Sequence, residues 1–466
     1  MSEPQLQIVD TLIVNTILVT MDATRRIIKD GALAITADRI TAIGKTADLK
    51  ALYTARETID GSRFVVTPGL VNCHIHITGE PLTRGYAPDD VAFDEHVFNW
   101  LVPVHHHFTP ADERMSGQLA ALEMLRSGTT SFIEAGSISA LDEVADGLTE
   151  IGIRGRIGLR VWDQATTAVH SVQATDVAIR RLSDELVRYP CDKGQRIAAW
   201  PTLIGHALCS DELFRTARRL SLDHGAGVTF HMSPAENDGE WYMNKFGCRP
   251  VEHLADIDVL GDNLVITHLV HVSDREIALL AETGTNVAHC PTTALKVGYG
   301  ITQVGKFPEM AAQGINVTIG TDGNNGSNYS DLMRATYLVA GLFKDARRDP
   351  TIFPAEQAFA MATLGGARAI GLEKEIGSLE PGKKADFVFH DTNRPEWRPL
   401  LNVANQLVWA ADGRGVHSVW VDGARVVDNY RSTKIDEEKF YAEVQIAGEA
   451  IVRRSGLPNR AKWPTV

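Results

Sequence analysis

The sequence predicts an α/β protein with a distorted parallel (β/α)8 TIM barrel and a small composite β-sandwich domain formed from both termini. Short apolar runs alternate with helix-length amphipathic stretches through the middle of the chain, as in a barrel. Both ends of the chain carry short β-rich runs separated by Asp-Gly and Gly turns. No G-x-G-x-x-G follows any predicted strand, which disfavours the alternative of a doubly wound open sheet.

The length and the change in pattern along the chain divide it into three parts. At roughly 150 residues per domain, 466 residues correspond to about three domain-equivalents, or to one large barrel with an accessory domain. We expect residues 1–68 and 373–435 to form the composite β-domain. Residues 69–372 would form the barrel, and residues 436–466 a C-terminal helical extension.

Eight strand candidates define the predicted barrel, and amphipathic helices lie between most of them. The segment 113–128 has the apolar spacing of a helix, and 273–284 opens with a Ser cap and acidic first-turn residues and stops at Gly. The strand candidates are residues 71–76, 129–135, 156–162, 196–203, 227–233, 264–272, 286–291 and 316–323.

Composition excludes several classes of protein. With 44% hydrophobic and 23% charged residues, the chain reads as globular and soluble rather than disordered. A net charge of −13 makes non-specific binding to nucleic acid or to an anionic membrane unfavourable, so neither is expected as a partner. No apolar run reaches the roughly 18 residues of a membrane span, and the N-terminus shows no secretory signal. Five scattered cysteines favour a reducing compartment, and we expect a cytoplasmic protein.

Histidines and one aspartate stand where the predicted strands end, which is the face of a barrel that carries the chemistry. His74 and His76 have H-x-H spacing, so both side chains point to the same side of a strand. His231, His268 and Asp322 belong to three other strands. Alone, each could be a hydrogen-bonded core residue or a cap. Together they predict a divalent metal site, for which zinc, cobalt, iron and manganese are suitable ions.

The remaining histidines are less informative. His96, His206 and His289 lie near the predicted rim and are candidates for substrate contact. The run 105–107 lies in a polar connection, and we expect it to be solvated surface.

Several motifs in fixed order resemble those of the amidohydrolase superfamily, specifically the branch with triazine hydrolases and nucleobase deaminases. Within that branch, the overall texture is closest to molinate (thiocarbamate) hydrolases and phenylurea hydrolases. The motifs cover almost the whole chain and read VTPGLVNCHIH, LTRGYAPDD, SGTTSF, VITHLVHV, VAHCPTTALKVGYG, IGTDGNNGSN, GSLEPGKKADFVFHD and VWVDGARVV.

The resemblance implies roles for five residues. His74, His76, His231 and Asp322 would bind one divalent metal per subunit, with cobalt or zinc favoured and iron or manganese as alternatives. Asp322 would also accept a proton from the attacking water. His268 would hydrogen-bond that water or the developing oxyanion. The resemblance further implies a homo-oligomer, a dimer or a tetramer.

The segment after His231 departs from the family pattern. This branch usually carries a Glu three residues after that His, where it protonates the ring nitrogen of the substrate, and here Pro234 occupies the position. Glu236, Asp238 and Glu240 follow, either as a displaced acid or as surface charges. The strand-eight loop, GTDGNNGSN, also has one residue more than the commoner pattern.

The missing acid determines the predicted reaction. Attack on a carbamate, thiocarbamate or urea-type carbonyl places negative charge on oxygen, where the metal and His268 can stabilise it. The main prediction is therefore hydrolysis of such a carbonyl by hydroxide held on the metal. The alternative is a deaminase or dechlorinase of a nitrogen heterocycle of the triazine, guanine or cytosine type.

Aromatic residues after His76 predict a small, largely apolar and neutral substrate. Tyr86, Phe93, Trp100 and Trp162 are candidate substrate contacts, together with Glu236. The alternative for the aromatic residues is that they hold the loop onto the barrel.

Overall fold

The computed structural model describes residues 6–165, 172–192, 194–458, 460 and 462–463. In chain order the strands are β1 (Gln7–Val19), β2 (Ile27–Thr36), β3 (Arg39–Lys45), β4 (Tyr53–Asp60), β5 (Phe64–Pro68), β6 (Leu70–Ile75), β7 (Thr129–Glu134), β8 (Arg154–Ile157), β9 (Ile197–Ala199), β10 (Thr202–Gly205), β11 (Val228–Met232), β12 (Leu264–His268), β13 (Asn286–His289), β14 (Val317–Ile319), β15 (Phe387–Asp391), β16 (Val416–Val421), β17 (Ala424–Asp428) and β18 (Arg431–Ser432).

The helices surround the parallel strands and extend the C-terminus. In chain order they are α1 (Thr46–Leu52), α2 (Phe93–Glu95), α3 (Val102–His105), α4 (Pro110–Arg126), α5 (Leu141–Ile151), α6 (Thr175–Arg188), α7 (Asp211–Asp223), α8 (Glu236–Phe246), α9 (Pro250–Asp256), α10 (Asp274–Thr283), α11 (Pro291–Lys296), α12 (Ile301–Val304), α13 (Phe307–Ala312), α14 (Leu332–Arg347), α15 (Ala355–Ala360), α16 (Gly366–Ala369), α17 (Val403–Asn405) and α18 (Glu437–Ser455). A wider helical turn, His96–Leu101, joins α2 to α3.

The parallel strands form two sheets, β6-β7-β8-β9 and β10-β11-β12-β13-β14, and the two sheets together make the barrel. The first boundary between the two sheets lies between β9 and β10. These are the two halves of one predicted strand, which Trp200 and Pro201 interrupt. Proline has no N–H to donate to a neighbouring strand, so a ladder cannot continue through this point. This break is one physical source of the distortion that the sequence predicts.

At the second boundary between the two sheets, hydrogen bonds that include side chains join the segment after β14 to β6. The Asp322 N–H donates to the carbonyl of His74 at 2.9 Å. The Asn72 side chain accepts from the Thr321 N–H at 3.1 Å and contacts the Thr321 hydroxyl at 2.8 Å. The first barrel strand, β6, therefore meets the last one, β14. This closed arrangement confirms the predicted barrel over the doubly wound alternative.

Strands from both ends of the chain form one further sheet, in the order β18-β17-β16-β15-β5-β1-β2-β3, with β4 paired to β1. The long strand β1 bends at Asn15, whose φ is +63°. Its first half pairs with β4 and its second half with β5. Two apolar clusters pack against this sheet, and its strands from both ends of the chain confirm the predicted sandwich from both termini. The exact domain boundaries stay a prediction.

The predicted helices begin and end for identifiable reasons. In α10 the Ser273 side chain accepts from the Glu276 N–H, and Gly284 ends the helix with a φ of +71°. In α7, Phe214 packs on Phe230 of β11 with ring centroids 5.0 Å apart. Because side chains alternate along a strand, Phe230 faces the helices and its neighbour His231 faces the barrel interior.

The C-terminal helix α18 packs beside the loop that follows β6. Ile451 of α18 is buried in a small cluster with Leu82 and Val104. Within the described ranges, none of the helices is long and apolar enough to cross a membrane.

Candidate metal centre and cavity

Five side chains predicted to carry the chemistry meet at the carboxyl ends of the barrel strands. His74 lies in β6, and His76 follows its last residue. His231 lies in β11, His268 ends β12, and Asp322 follows β14. All five are nearly or fully buried, apart from a small exposed part of His76. The strand pattern that predicted this meeting point therefore corresponds to a real convergence of side chains.

The distances between the donor atoms fit one metal ion. The Nε2 atoms of His74 and His76 each lie 3.4 Å from Asp322 Oδ1. The Nε2 atoms of His76 and His231 lie 3.3 Å apart. Ligands about 2.1 Å from a tetrahedral zinc ion are roughly 3.4 Å from one another. His268 stands slightly farther out, with its Nε2 4.0 Å from Asp322 Oδ2.

The outer nitrogens of two histidines are occupied, which directs the inner nitrogens to the centre. His231 Nδ1 donates to the carbonyl of Ile204 at 2.8 Å, so its Nε2 carries the lone pair. His74 Nδ1 contacts the Thr267 hydroxyl at 2.8 Å. His74 Nε2 is buried with no hydrogen-bond partner among the described residues. A buried nitrogen of this kind needs a partner, and a metal ion would satisfy it.

Burial keeps the site in the protonation state that binds metal. It lowers the pKa of His76 to about 4 and that of His268 to about 3, and it lowers the pKa of His231 further below the ordinary value. Burial alone would raise the pKa of Asp322, but the close approach of His74 at 3.4 Å and the nearby His268 and His76 hold it well below its ordinary value. Neutral imidazoles and an ionised carboxylate are the forms that ligate a divalent metal.

Cys290 lies close to His74 and Asp322 and is a second type of potential ligand. Burial raises the pKa of its thiol well above the ordinary value, so the thiol stays protonated at neutral pH. Because metals bind the thiolate, the nitrogen and carboxylate set is the better donor set here. That set is suited to one divalent ion, as the sequence predicts.

A cavity of about 510 Å³ opens above this centre. Its walls include His76, His231, His268 and Asp322, so any molecule bound there would reach the metal ligands. Apolar and aromatic side chains cover much of the rest. They include Phe93, Phe98, Leu101, Val102, Trp162, Ile204, Leu208, Trp241, Val297 and Tyr299. A cavity of this size and lining accommodates a small, largely apolar molecule.

The candidate substrate contacts divide into two groups. Phe93 and Trp162 line the cavity. Tyr86 and Trp100 lie outside its lining and pack against each other, with ring centroids 5.9 Å apart. The Tyr86 hydroxyl donates to the carbonyl of Leu457 at 2.6 Å, so these two residues hold the loop against the C-terminal extension. This corrects their prediction as substrate contacts.

Glu236 also lies outside the cavity lining. Its side chain is 59% exposed, and its carboxylate pairs with His271 Nδ1 at 3.0 Å and with Arg249 at 3.8 Å. The reason is local, because Glu236 begins α8 and points away from the barrel axis. Asp238, two residues later, does turn inward. It accepts from the Ser233 N–H at 2.7 Å and contacts His206 Nδ1 at 2.6 Å.

The other histidines differ from expectation at two positions. His96 and His206 line the cavity, but His289 faces away and stacks on Phe307 with centroids 3.8 Å apart. His105, predicted to be solvated, instead lines the cavity beside Arg160, and burial lowers its pKa well below the ordinary value. The wide helical turn before α3 carries this residue inward, and the sequence gives no periodic signal for such a turn.

Glu80 is a cavity residue that sequence reasoning did not identify. It lies four residues after His76 and is 4% exposed. Its position in the same loop as the H-x-H motif is a signal that could have marked it. Burial raises the pKa of this carboxyl to about 7.

Comparisons with known proteins agree with this geometry. Residues 65–426 match the model of the amidohydrolase family. The chain is 35% identical over 426 residues to the 5-methylthioadenosine/S-adenosylhomocysteine deaminase of Moorella thermoacetica, covering 90% of this chain and 94% of the relative. It is 34% identical over 460 residues to the 5'-deoxyadenosine deaminase of Methanosarcina mazei, covering 96% and 99%.

Solved structures give the same result for the fold. An adenosine deaminase from Xanthomonas campestris with bound zinc superimposes with a TM-score of 0.88 at 28% identity, covering 96% of this chain and 100% of that one. The atrazine chlorohydrolase of Arthrobacter aurescens, complexed with zinc, has a TM-score of 0.85 at 22% identity, covering 94% and 100%. The predicted resemblance to the triazine hydrolase and deaminase branch is confirmed. These relatives give no support to a closer likeness to thiocarbamate or phenylurea hydrolases.

Proposed function

Because the chain belongs to the amidohydrolase family of metal-dependent hydrolases, we propose that it is a deaminase of a nitrogen heterocycle. The observation that carries this proposal is the set of relatives at 31% to 35% identity, aligned over nearly the whole chain, that are named deaminases of adenosine-derived nucleosides. This is the alternative of the two functions that the sequence predicts, and it now ranks above hydrolysis of a carbamate, thiocarbamate or urea.

The residues at the centre have separate tasks in this reaction. A divalent ion bound by His74, His76, His231 and Asp322 would supply Lewis acidity that makes hydroxide available near neutral pH. Asp322 would accept the proton of the attacking water. His268 stands outside the proposed ligand set, and burial lowers its pKa to about 3, so its neutral ring can donate a hydrogen bond to the charge that develops on the substrate.

We propose zinc as the resident metal. Two structural relatives are described with zinc, and imidazole nitrogens and carboxylate oxygens are among the ligands that zinc binds in proteins. Cobalt binds the same donor types and is the next candidate.

A second candidate function rests on Pro234. A carbonyl substrate needs no acid at that position, because its charge develops on oxygen. Carbamate, thiocarbamate or urea hydrolysis therefore remains the second proposal. It predicts release of an amine or thiol without free ammonia from a ring.

A substrate screen tests the two proposals. Metal-loaded protein would be incubated with adenosine, 5-methylthioadenosine, S-adenosylhomocysteine, 5'-deoxyadenosine, guanine, cytosine and aminotriazines, and with thiocarbamates and phenylureas. We expect ammonia release and the matching change in ring absorbance for at least one amino heterocycle. Turnover of only the carbonyl compounds would overturn the deaminase proposal. The Ala variant of His74 is the control for contaminating activity.

A further inference from the structure

A deaminase needs a proton for the nitrogen that leaves, because an amide anion is too basic to depart alone. At the position where this branch usually carries the acid, the chain has Pro234, which cannot donate a proton. Either the reaction proceeds without an acid, or another cavity residue supplies the proton. The candidates for such a donor are the carboxyl groups in the cavity walls.

Glu80 is such a group, and the strand-eight loop holds it in place. The Asn325 N–H donates to Glu80 Oε2 at 2.6 Å, and the Gly326 N–H donates to the same carboxyl. The carboxyl packs on Gly323, the residue after Asp322. A Cβ at Gly323 would lie 2.0 Å from Glu80 Oε1, so only glycine permits this approach.

Glu80 is also a buried carboxyl with no close cation among the described residues, although Lys296 acts on it from a greater distance and lowers its pKa in part. It is buried, and within the described part of the chain it forms no ion pair with Arg or Lys. Its two hydrogen bonds come from backbone amides, which position a carboxyl without supplying a full positive charge. A buried acid with a raised pKa that lines a cavity is typical of a group used in proton transfer.

The two other acids near the centre are committed elsewhere. Asp238 contacts His206 and the Ser233 amide through the same oxygen, which positions the His206 ring. Glu236 faces solvent and pairs with His271 and Arg249. Asp238 lines the cavity but is held by these two contacts, and Glu236 lies outside the lining.

We propose that Glu80 is the proton donor for the departing nitrogen in a chain that has Pro234 at the usual position of the family's acid. This inference rests on the proposed deaminase function. It also explains the longer strand-eight loop, since the amides of Asn325 and Gly326 are the ones that hold the Glu80 carboxyl.

The step balances in atoms and electrons. The water oxygen forms a bond to the ring carbon as the π electron pair of the ring carbon–nitrogen double bond moves to the ring nitrogen, and one water proton goes to the Asp322 carboxylate. The pair on the ring nitrogen then re-forms the double bond while the bond between the carbon and the amino nitrogen breaks, and the electron pair of the broken bond stays on the amino nitrogen. Glu80 gives that nitrogen one proton, so ammonia leaves and the ring keeps the oxygen. The proton on Asp322 passes to solvent, and Glu80 takes one back.

The test measures how Glu80→Gln changes the turnover of two substrates that share one ring but differ in the leaving group. Chloride leaves without a proton, whereas an amino group needs one. With an amino heterocycle turned over by the wild type and its chloro analogue, we expect kcat for the amino substrate to fall about 10²- to 10⁴-fold, the usual contribution of a general acid. The rate for the chloro analogue should change less than about tenfold. Metal content, measured by plasma mass spectrometry, should equal that of the wild type.

Matched variants separate the possible failures. Glu236→Gln makes the same chemical change on the exposed acid and should leave both rates unchanged. Equal losses on both leaving groups, or loss of metal from Glu80→Gln, would overturn the role of Glu80. So would a selective loss on the amino substrate in Asp238→Asn with little effect in Glu80→Gln. If the wild type releases no ammonia from any heterocycle, the proposed function itself fails, which is a different outcome.

Discussion

Two residues of the metal centre have backbone conformations that side chains rarely adopt. His268 has a φ of +76° and Asp322 a φ of +65°. Neither is glycine, so each conformation costs on the order of 1 kcal/mol or more, and the surrounding structure must impose it. The turn at His268 also ends β12 four residues before the predicted limit of that strand, 264–272. These strained backbone conformations point the two side chains towards the centre of the site.

The Thr267 hydroxyl is the contact that orients His74, and removing it gives the first residue-scale prediction. Thr267→Val keeps the shape of the side chain but removes the partner of His74 Nδ1 at 2.8 Å. Outer partners of this kind contribute about 10- to 100-fold to metal affinity. We expect zinc affinity, measured by competition with a chromophoric chelator, to fall by that factor.

A second buried threonine is the matched control. Thr318 donates to the carbonyl of Val287 at 3.0 Å in a neighbouring strand, without touching a predicted ligand. Thr318→Val should leave metal affinity unchanged, and His74→Ala should abolish stoichiometric binding. Equal affinities in Thr267→Val and the wild type would show that the hydroxyl does not orient His74.

Sequence reasoning succeeds for residues whose role follows from strand position. His74, His76, His231, His268 and Asp322 all stand at strand ends, and side-chain alternation places them on one face. It does not identify residues whose role depends on a distant loop. Glu80 meets the amide of Asn325 across 245 positions of sequence, and no local pattern reports that contact.

At the scale of elements, the loop after β6 is held from outside by the C-terminal helix α18. Arg454 of α18 donates to the carbonyl of His107 at 2.9 Å and pairs with Asp112 at 2.7 Å. The hydroxyl of Tyr86 reaches the carbonyl of Leu457 just beyond the helix. Because Phe93 and the following turn form one wall of the cavity, α18 positions part of that wall without contributing a side chain to it.

Ile451 is the centre of that contact, and its truncation gives the element-scale prediction. Ile451→Ala removes a fully buried side chain that packs with Leu82 and Val104. Such truncations cost about 2–5 kcal/mol, and here the loss falls on the docking of the loop. We expect KM to rise several-fold and the loop to become more sensitive to limited proteolysis, with metal content unchanged.

Ile446 on the same helix is 66% exposed and supplies the control. Ile446→Ala should leave KM and the proteolysis pattern as in the wild type. A wild-type KM in Ile451→Ala would mean that the loop keeps its position without the helix.

For the molecule as a whole, the fold could be predicted and the reaction could not. Alternating strands and helices with β-rich ends carry enough information for the barrel and the sandwich, because both depend on repeated patterns. The preference for a carbonyl substrate rests on Pro234, which is one position in one loop, and on the overall texture of the sequence. The proposed proton donor depends on two loops that lie far apart in the sequence. The loop after β6 carries Glu80, and the loop after β14 carries the Asn325 amide that holds it.

A buried ion cluster joins the barrel to the sheet built from both termini, and it gives the prediction at this scale. Arg154 of β8 lies 3.1 Å from Asp386 and 2.6 Å from Asp422, which flank β15 and β16. Arg154 and Asp386 are 2% and 1% exposed. Burial raises the pKa of Asp386 even though Arg154 lies beside it. Loss of the guanidinium would leave the buried Asp386 carboxyl without its ion-pair partner, whereas Asp422 keeps Lys384 at 3.3 Å.

Arg154→Met therefore should destabilise the protein by about 3–5 kcal/mol, the usual cost of breaking a buried pair from one side. Urea unfolding of the metal-loaded protein, followed by tryptophan fluorescence, measures this loss. Arg188→Met makes the same change in an exposed pair with Asp142, whose side chains are 47% and 57% exposed, and should cost less than about 1 kcal/mol. If the two variants unfold at the same urea concentration, the cluster does not hold the barrel and the sheet together. A loss confined to Arg154→Met would instead make it the main polar contact between the two parts of the molecule.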